Sequence, residues 1–138
     1  EYTGAAYTIT SFKDYFEANM ALMDPKVRAQ LFPAAHPIYT KVRDDMPAKY
    51  GLGSSVENSI VADGCVIDGE VENCVLFRGV RVKKGAKLKN CVIMQDCVIG
   101  EGTKLDYVVA DKNVEFDMNR NMAGSSSYPV YVSKGSRV

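Results

Sequence analysis

From Ser59 onward the apolar positions keep a short, strict beat. Large aliphatics fall at Val61, Ile67, Leu76, Val82, Leu88, Ile93, Ile99 and Leu105, and two positions before each stands a smaller residue: Ser59, Cys65, Cys74, Val80, Ala86, Cys91, Cys97 and Thr103. A small and a large residue two apart, with a polar residue near them, is the period-2 mark of a strand burying one face. Gly64, Gly69, Gly79, Gly85 and Gly102 stand between these pairs, where tight corners are wanted. Set in blocks of seventeen, "CVLFRGVRVKKGAKLKN" (74–90) lies over "CVIMQDCVIGEGTKLDY" (91–107), and "SIVADGCVIDGEVEN" (59–73) fits above after a two-residue deletion. Six-residue units, about three to a turn, predict coils that each pair only with the coil above and below. The expected fold is all-β: a left-handed parallel β-helix over residues 56–138, an exception to the right-handed crossover rule. A β-sandwich needs strands spaced at about 8–12 residues, longer and less regular than these.

The first third has a different period. In "TSFKDYFEANMALMD" the residues Phe12, Tyr15, Phe16, Met20 and Met23 share one helical face, with Ser11 or Thr10 as cap and Asp14 at capping-box spacing. "DPKVRAQLFP" offers Asp24 as N-cap, Pro25 at the first helical position and Pro33 as a stop. One or two short α-helices are therefore expected in a helical arm over 1–33, followed by an extended linker over 34–55. So apolar a helical face must pack on the coils or on a further domain. Near the other end, "MNRNMAGSSS" (118–127) breaks the beat and reads as a flexible loop, with "YPVYVSKGSRV" as a closing strand and cap.

All four cysteines sit in the small inward slot, where a free thiol behaves as a small hydrophobe. Their gaps of nine, seventeen and six do not fit paired zinc ligands. A disulfide between Cys74 and Cys91, one coil apart, is sterically conceivable but disfavoured in a reducing compartment. Lysine plus arginine equals aspartate plus glutamate, so no bulk field draws the chain to nucleic acid or an anionic membrane. No apolar run nears the roughly 18 residues of a bilayer span, and no secretory signal opens the chain. A cytoplasmic location is expected. The start at Glu1, straight into patterned sequence, suggests a piece of a longer protein.

"PIYTKVRDDMPAKYG" (37–51), "VADGCVIDG", "VENCVLFRGVRVKKGA", "VIMQDCVIGEG" and "VVADKN", with the helix "SFKDYFEANMALM", closely resemble the C-terminal part of bacterial ADP-glucose pyrophosphorylase, or glucose-1-phosphate adenylyltransferase. Within that family the chain looks most similar to the D-type, regulatory subunits of glycogen-synthesising bacteria. The resemblance implies that the arm leaves a nucleotidyltransferase domain that precedes it, and that the parent reaction joins ATP and glucose 1-phosphate into ADP-glucose and pyrophosphate. The family's catalytic members carry an aspartate near this helix that helps hold magnesium. The matching stretch here, "YTGAAYTI" (2–9), has Ala5 at that position and no acid anywhere, and alanine offers a hard cation no oxygen. The implied role is a regulatory and assembly domain with no catalytic residues and no cofactor of its own, magnesium belonging to the full-length catalytic enzyme.

The same resemblance implies an anion site for phosphorylated metabolites, with Lys112 in "VADKN" as its first candidate and Arg43, Lys49, Arg78 and Arg81 as further cations. Lys83, Lys84, Lys87 and Lys89 read instead as a solvated face. The expected partners are a catalytic subunit of the same enzyme, a second copy, and an anionic effector. Other hexapeptide functions fit less well. An acyltransferase needs a histidine base at a coil edge, and His36, the only histidine, precedes the coils. A β-helical carbonic anhydrase needs three. A plain oligomerisation scaffold differs from the effector domain in binding no anion.

Overall fold

The fold is that of a computed structural model, which describes residues 3–39 and 44–138. Among the described residues the six-residue beat becomes fifteen short strands in five layers. In chain order the layers are β1 (Lys49–Tyr50), β2 (Ser55–Glu57) and β3 (Ile60–Val61); β4 (Val66–Ile67), β5 (Glu70–Glu72) and β6 (Val75–Leu76); β7 (Arg81–Val82), β8 (Lys87–Lys89) and β9 (Val92–Ile93); β10 (Val98–Ile99), β11 (Lys104–Asp106) and β12 (Val108–Ala110); and β13 (Glu115–Phe116), β14 (Asn121–Ala123) and β15 (Val130–Val132). Every third strand pairs in parallel, giving three five-stranded faces: face A (β1-β4-β7-β10-β13), face B (β2-β5-β8-β11-β14) and face C (β3-β6-β9-β12-β15). This is the three-sided parallel β-helix that the beat predicts. Parallel pairing already begins at Lys49, opposite Val66, within the stretch read as extended linker.

The seventeen-residue register holds where it was read, as Val75 pairs with Val92 and Val98 with Glu115. The two-residue deletion is also real, since Val66 pairs with Arg81 and Ile60 with Val75, fifteen residues on. It falls at the corner between faces A and B, where Asp68–Gly69 spans what Lys83–Ala86 spans one layer on. Gly69 then occupies the slot below Ala86, and a β-carbon there would lie 2.4 Å from the Ala86 carbonyl oxygen. Only glycine fits so short a corner.

Inside the prism the small and large residues alternate as expected. Cys65, Ile67, Cys74, Leu76, Val80, Val82, Ala86, Leu88, Cys91, Ile93, Cys97, Ile99, Thr103 and Leu105 are all buried. The thiols are free, and each donates to a backbone carbonyl, as from Cys65 to Phe77 and from Cys97 to Asp111. Thr103, the buried polar residue of the core, is satisfied on both sides: its hydroxyl donates to the Asp117 carbonyl and accepts from the Arg120 N–H. Burial, with Cys74 alongside, pushes the Cys91 thiol well above its ordinary range, and burial lifts Cys97 to about 11. These sulfurs are filler in the stack.

The corner from face B to face C turns on one residue with positive φ: Asn58, Asn73, Asn90 and Tyr107. Asparagine tolerates the left-handed region better than most side chains. Its amides also bond from layer to layer, Asn58 to Asn73 at 2.6 Å, Asn73 to Asn90 at 3.4 Å and Asn90 to Asp106 at 3.2 Å. Tyr107 is the bulky exception, and its ring packs against Phe16 of the arm with centroids 6.0 Å apart.

The arm forms α1 (Phe12–Ala21) and α2 (Pro25–Leu31). Ser11 caps α1 by accepting from the Asp14 N–H, and Asp14 reaches back to the N–H and hydroxyl of Thr10. Asp24 caps α2 through the Lys26 N–H, with Pro25 in the first turn. The apolar face of α1 packs on the solenoid. Phe16, 3% exposed, lies in a cluster with Val75, Val92 and Val109, the outward residues of face C, joined by Phe12, Tyr15, Met20, Met23, Ile60 and Tyr107. Phe12 meets Tyr131 of β15 edge-on at 5.4 Å, whereas Met20 and Met23 lie toward Asn58 and Asn73. A ten-residue helix, about 15 Å long, therefore splints layers stacked about 4.8 Å apart.

Residues 118–127 do not form the single flexible loop that their composition suggests. Asn121–Ala123 is β14, paired with β11 at the usual register. The interruption comes after it: Val108 pairs with Val130, twenty-two residues on, so five extra residues bulge before β15. The serine run is this bulge, and Met122, packed against the core, holds the strand before it in place.

Candidate functional site

The corner from face C to face A holds two of the candidate cations, Arg78 and Lys112. Its backbone hydrogen bonds climb from layer to layer: Gly79 N–H to Asp63 O, Asp96 N–H to Arg78 O, Asn113 N–H to Gln95 O, and Gly135 N–H to Lys112 O. Asp63, Arg78, Gln95, Lys112 and Lys134 thus occupy one vertical line, with neighbours about 4.8 Å apart. Arg78 is half-buried, and Lys112 and Lys134 are exposed. Gln95 lies between the Arg78 and Lys112 layers, and its Oε1 is buried with no hydrogen-bond partner among the described residues.

Lys112 does not stand in a purely positive setting. Asp111 accepts from the Lys112 N–H at 2.7 Å and from the Tyr131 hydroxyl at 2.8 Å. These bonds, with the charges of Lys112 and Lys134, hold the Asp111 carboxyl below its ordinary range.

Lys49 and Arg81 are exposed on the outward line of face A, separated by one layer at Val66. The structure therefore brings Arg78 and Lys112 onto one corner and sets Arg81 and Lys49 on the adjoining face. Arg43 lies outside the described residues. Lys134 escaped the sequence reading, although its "VSKG" sits one layer above "ADKN". The five-residue bulge before β15 throws it out of the seventeen-residue frame, and the β12–β15 pairing and the Gly135 N–H bond to the Lys112 carbonyl reveal the register.

The other lysines belong elsewhere. Lys87 and Lys89 project from face B and pair with Glu70 and Glu72 of the layer below, at 3.5 and 4.0 Å, with Lys83 and Lys84 on the corner leading to them. His36 is exposed in a turn before the coils, its N–H donating to the Pro33 carbonyl. Among the described residues no three histidine, cysteine or acidic side chains group to hold a metal ion, and no helix is long and apolar enough to cross a membrane. Residues 3–8, Thr-Gly-Ala-Ala-Tyr-Thr, carry no carboxylate and do not fit a magnesium ion.

Comparison with known proteins locates this architecture. The family described as "GlmU-like, C-terminal hexapeptide" matches residues 45–124. The "Glycogen biosynthesis protein GlgD" of Bacillus subtilis (strain 168) is 49% identical over 135 residues, covering 98% of this chain and 39% of that protein. GlgD of Geobacillus stearothermophilus is 55% identical over 69 residues, covering 50% of this chain and 20% of its own. The "Glucose-1-phosphate adenylyltransferase" of Acetivibrio thermocellus is 36% identical over 130 residues, covering 94% of this chain and 30% of the enzyme. The chain thus spans well under half the length of each of these relatives.

Proposed function

Because the chain belongs to the GlmU-like C-terminal hexapeptide family, we propose that it is the regulatory and assembly β-helix of a glycogen-biosynthesis protein of the GlgD kind. In this reading the parent protein works beside a glucose-1-phosphate adenylyltransferase catalytic subunit, and the β-helix contributes no catalytic group. The identity to GlgD across 98% of the chain is the observation that carries it.

The ligand in this reading is a phosphorylated metabolite or inorganic anion held at the corner of Arg78, Lys112 and Lys134, with Arg81 and Lys49 on the neighbouring face. One support comes from the fold: Arg78, Lys112 and Lys134 fall on one line up the corner, Lys112 and Lys134 in adjacent layers and Arg78 two layers below Lys112. Half-buried Arg78 offers a planar fork for phosphate oxygens, and the two lysines offer mobile point charges. Isothermal titration with inorganic phosphate and with fructose 1,6-bisphosphate tests the site. Saturable binding, weakened about tenfold by Lys112→Ala and by Lys134→Ala, about 1.4 kcal/mol each, is the expected result. No binding, or binding that neither substitution touches, leaves a scaffold without an effector.

A further inference from the structure

Face B carries a charge pattern that its internal ion pairs do not account for. Its outward residues form two ridges, Ser55–Glu70–Lys87–Lys104–Asn121 and Glu57–Glu72–Lys89–Asp106–Ala123, each read up the layers from the strand register. A ladder arranged only for internal pairing alternates in sign, because like charges in register repel. This one does so only in part. Glu57 stacks on Glu72 and Lys104 on Lys87, so each internal pair has a like charge on one side, whereas Asp106 continues the alternation above Lys89.

The banding extends onto the corner between faces A and B. The second layer carries Asp68, Glu70 and Glu72, the third Lys83, Lys84, Lys87 and Lys89, and all seven are exposed. Two adjacent layers of opposite sign thus lie side by side on a flat sheet. Face C is covered by α1, whereas no helix packs on face B among the described residues. The internal pairs are only partly shielded, with side chains about half exposed. Pairs of that kind contribute about 0–1 kcal/mol, so they cost little to share with a partner.

We propose that face B docks on face B of a second copy of this chain, with the two solenoids antiparallel. A twofold axis lying along the strands between the second and third layers sets Glu70 and Glu72 of each copy against Lys87 and Lys89 of the other, and these four central pairs outnumber the two Glu57–Asp106 contacts at the edges. The parallel arrangement sets acid on acid and lysine on lysine. With a net charge of zero, the chain as a whole does not oppose the approach. Five strands span only about 19 Å of face, so the contact belongs to the small, weak class, below about 1,200 Å² in total. Charge makes most of it, and salt screens it, with a Debye length of about 8 Å at physiological ionic strength. The surface is separate from the anion corner, so it stands or falls independently of the effector reading.

Reversing the charges tests it with the chain as it is. Sedimentation velocity compares the parent chain at low salt and at 0.5 M salt, on the order of a threefold shorter Debye length than in dilute buffer, with the double variants Glu70→Lys/Glu72→Lys and Lys87→Glu/Lys89→Glu. The parent associates at low salt and dissociates at high salt. Each variant alone, carrying one sign on both layers, loses association by at least about tenfold. An equimolar mixture of the two variants recovers it, because every lysine layer then faces a glutamate layer. Circular dichroism confirms that both variants keep the parent's melting profile. A parent that stays monomeric at low salt, variants that associate unchanged, or a mixture that recovers nothing overturns the proposal.

Discussion

Faces B and C share one core and differ only in what they turn outward. Each contributes inward residues from the same repeat, Val71, Leu88 and Leu105 on face B and Leu76, Ile93 and Ala110 on face C. Outward, face C presents Val75, Val92 and Val109, all buried under α1, whereas face B presents glutamates and lysines. The inward positions are constrained by packing at the prism axis, where an extra or missing methylene is felt. The outward positions are free of that constraint, and each face has used its freedom differently, one to seat a helix and the other to display charge.

The contrast predicts unequal costs. Phe16→Ala, which removes the centre of the helix-to-face contact, is expected to destabilise by about 3–5 kcal/mol in denaturant unfolding, and to raise amide exchange across α1. Alkali probes the shared core. The Cys97 thiol, raised to about 11 by burial, stays protonated in the fold well above its ordinary value of 9.0. The stability it contributes is therefore complete below about 9 and lost as pH rises from there through about 11, on the order of 2 kcal/mol. Thermal melts between pH 8 and 11 measure the loss, and Cys97→Ala should make it smaller, the remainder coming from the buried Cys65 and Cys91 thiols. Asn90→Ala breaks the amide ladder and places an alanine at φ 52°. A cost of about 1–2 kcal/mol is expected, with Asn90→Gly recovering part of it. At the bottom, Lys87→Ala on face B should change unfolding by less than about 1 kcal/mol. If Lys87→Ala costs as much as Phe16→Ala, the assignment of face B to display rather than stability is wrong.

The anion corner shows where reading the chain alone stops. Lys112 was visible because it falls within a regular block, and Arg78 because its layer keeps the register. Lys134 was not, since five residues of bulge separate it from the frame. The loop reading of 118–127 failed for a related reason. Asn, Gly and Ser marked it as irregular, but Met122 packs on the core and pulls Asn121–Ala123 into the sheet. Composition weighs such a segment as a whole, whereas a single well-placed apolar side chain decides whether its strand forms.

By itself, the sequence determined the three-sided stack, the inward place of the four thiols and the capped helices of the arm. Each of these rests on contacts a few residues or one coil apart, at a spacing that the chain repeats. Only the tertiary structure decided that α1 covers face C, that Tyr107 adopts a left-handed backbone against Phe16, and that Lys134 stands over Lys112. Those contacts join residues 17 or more positions apart across an insertion or between unlike elements, and no repeat in the chain encodes their distance.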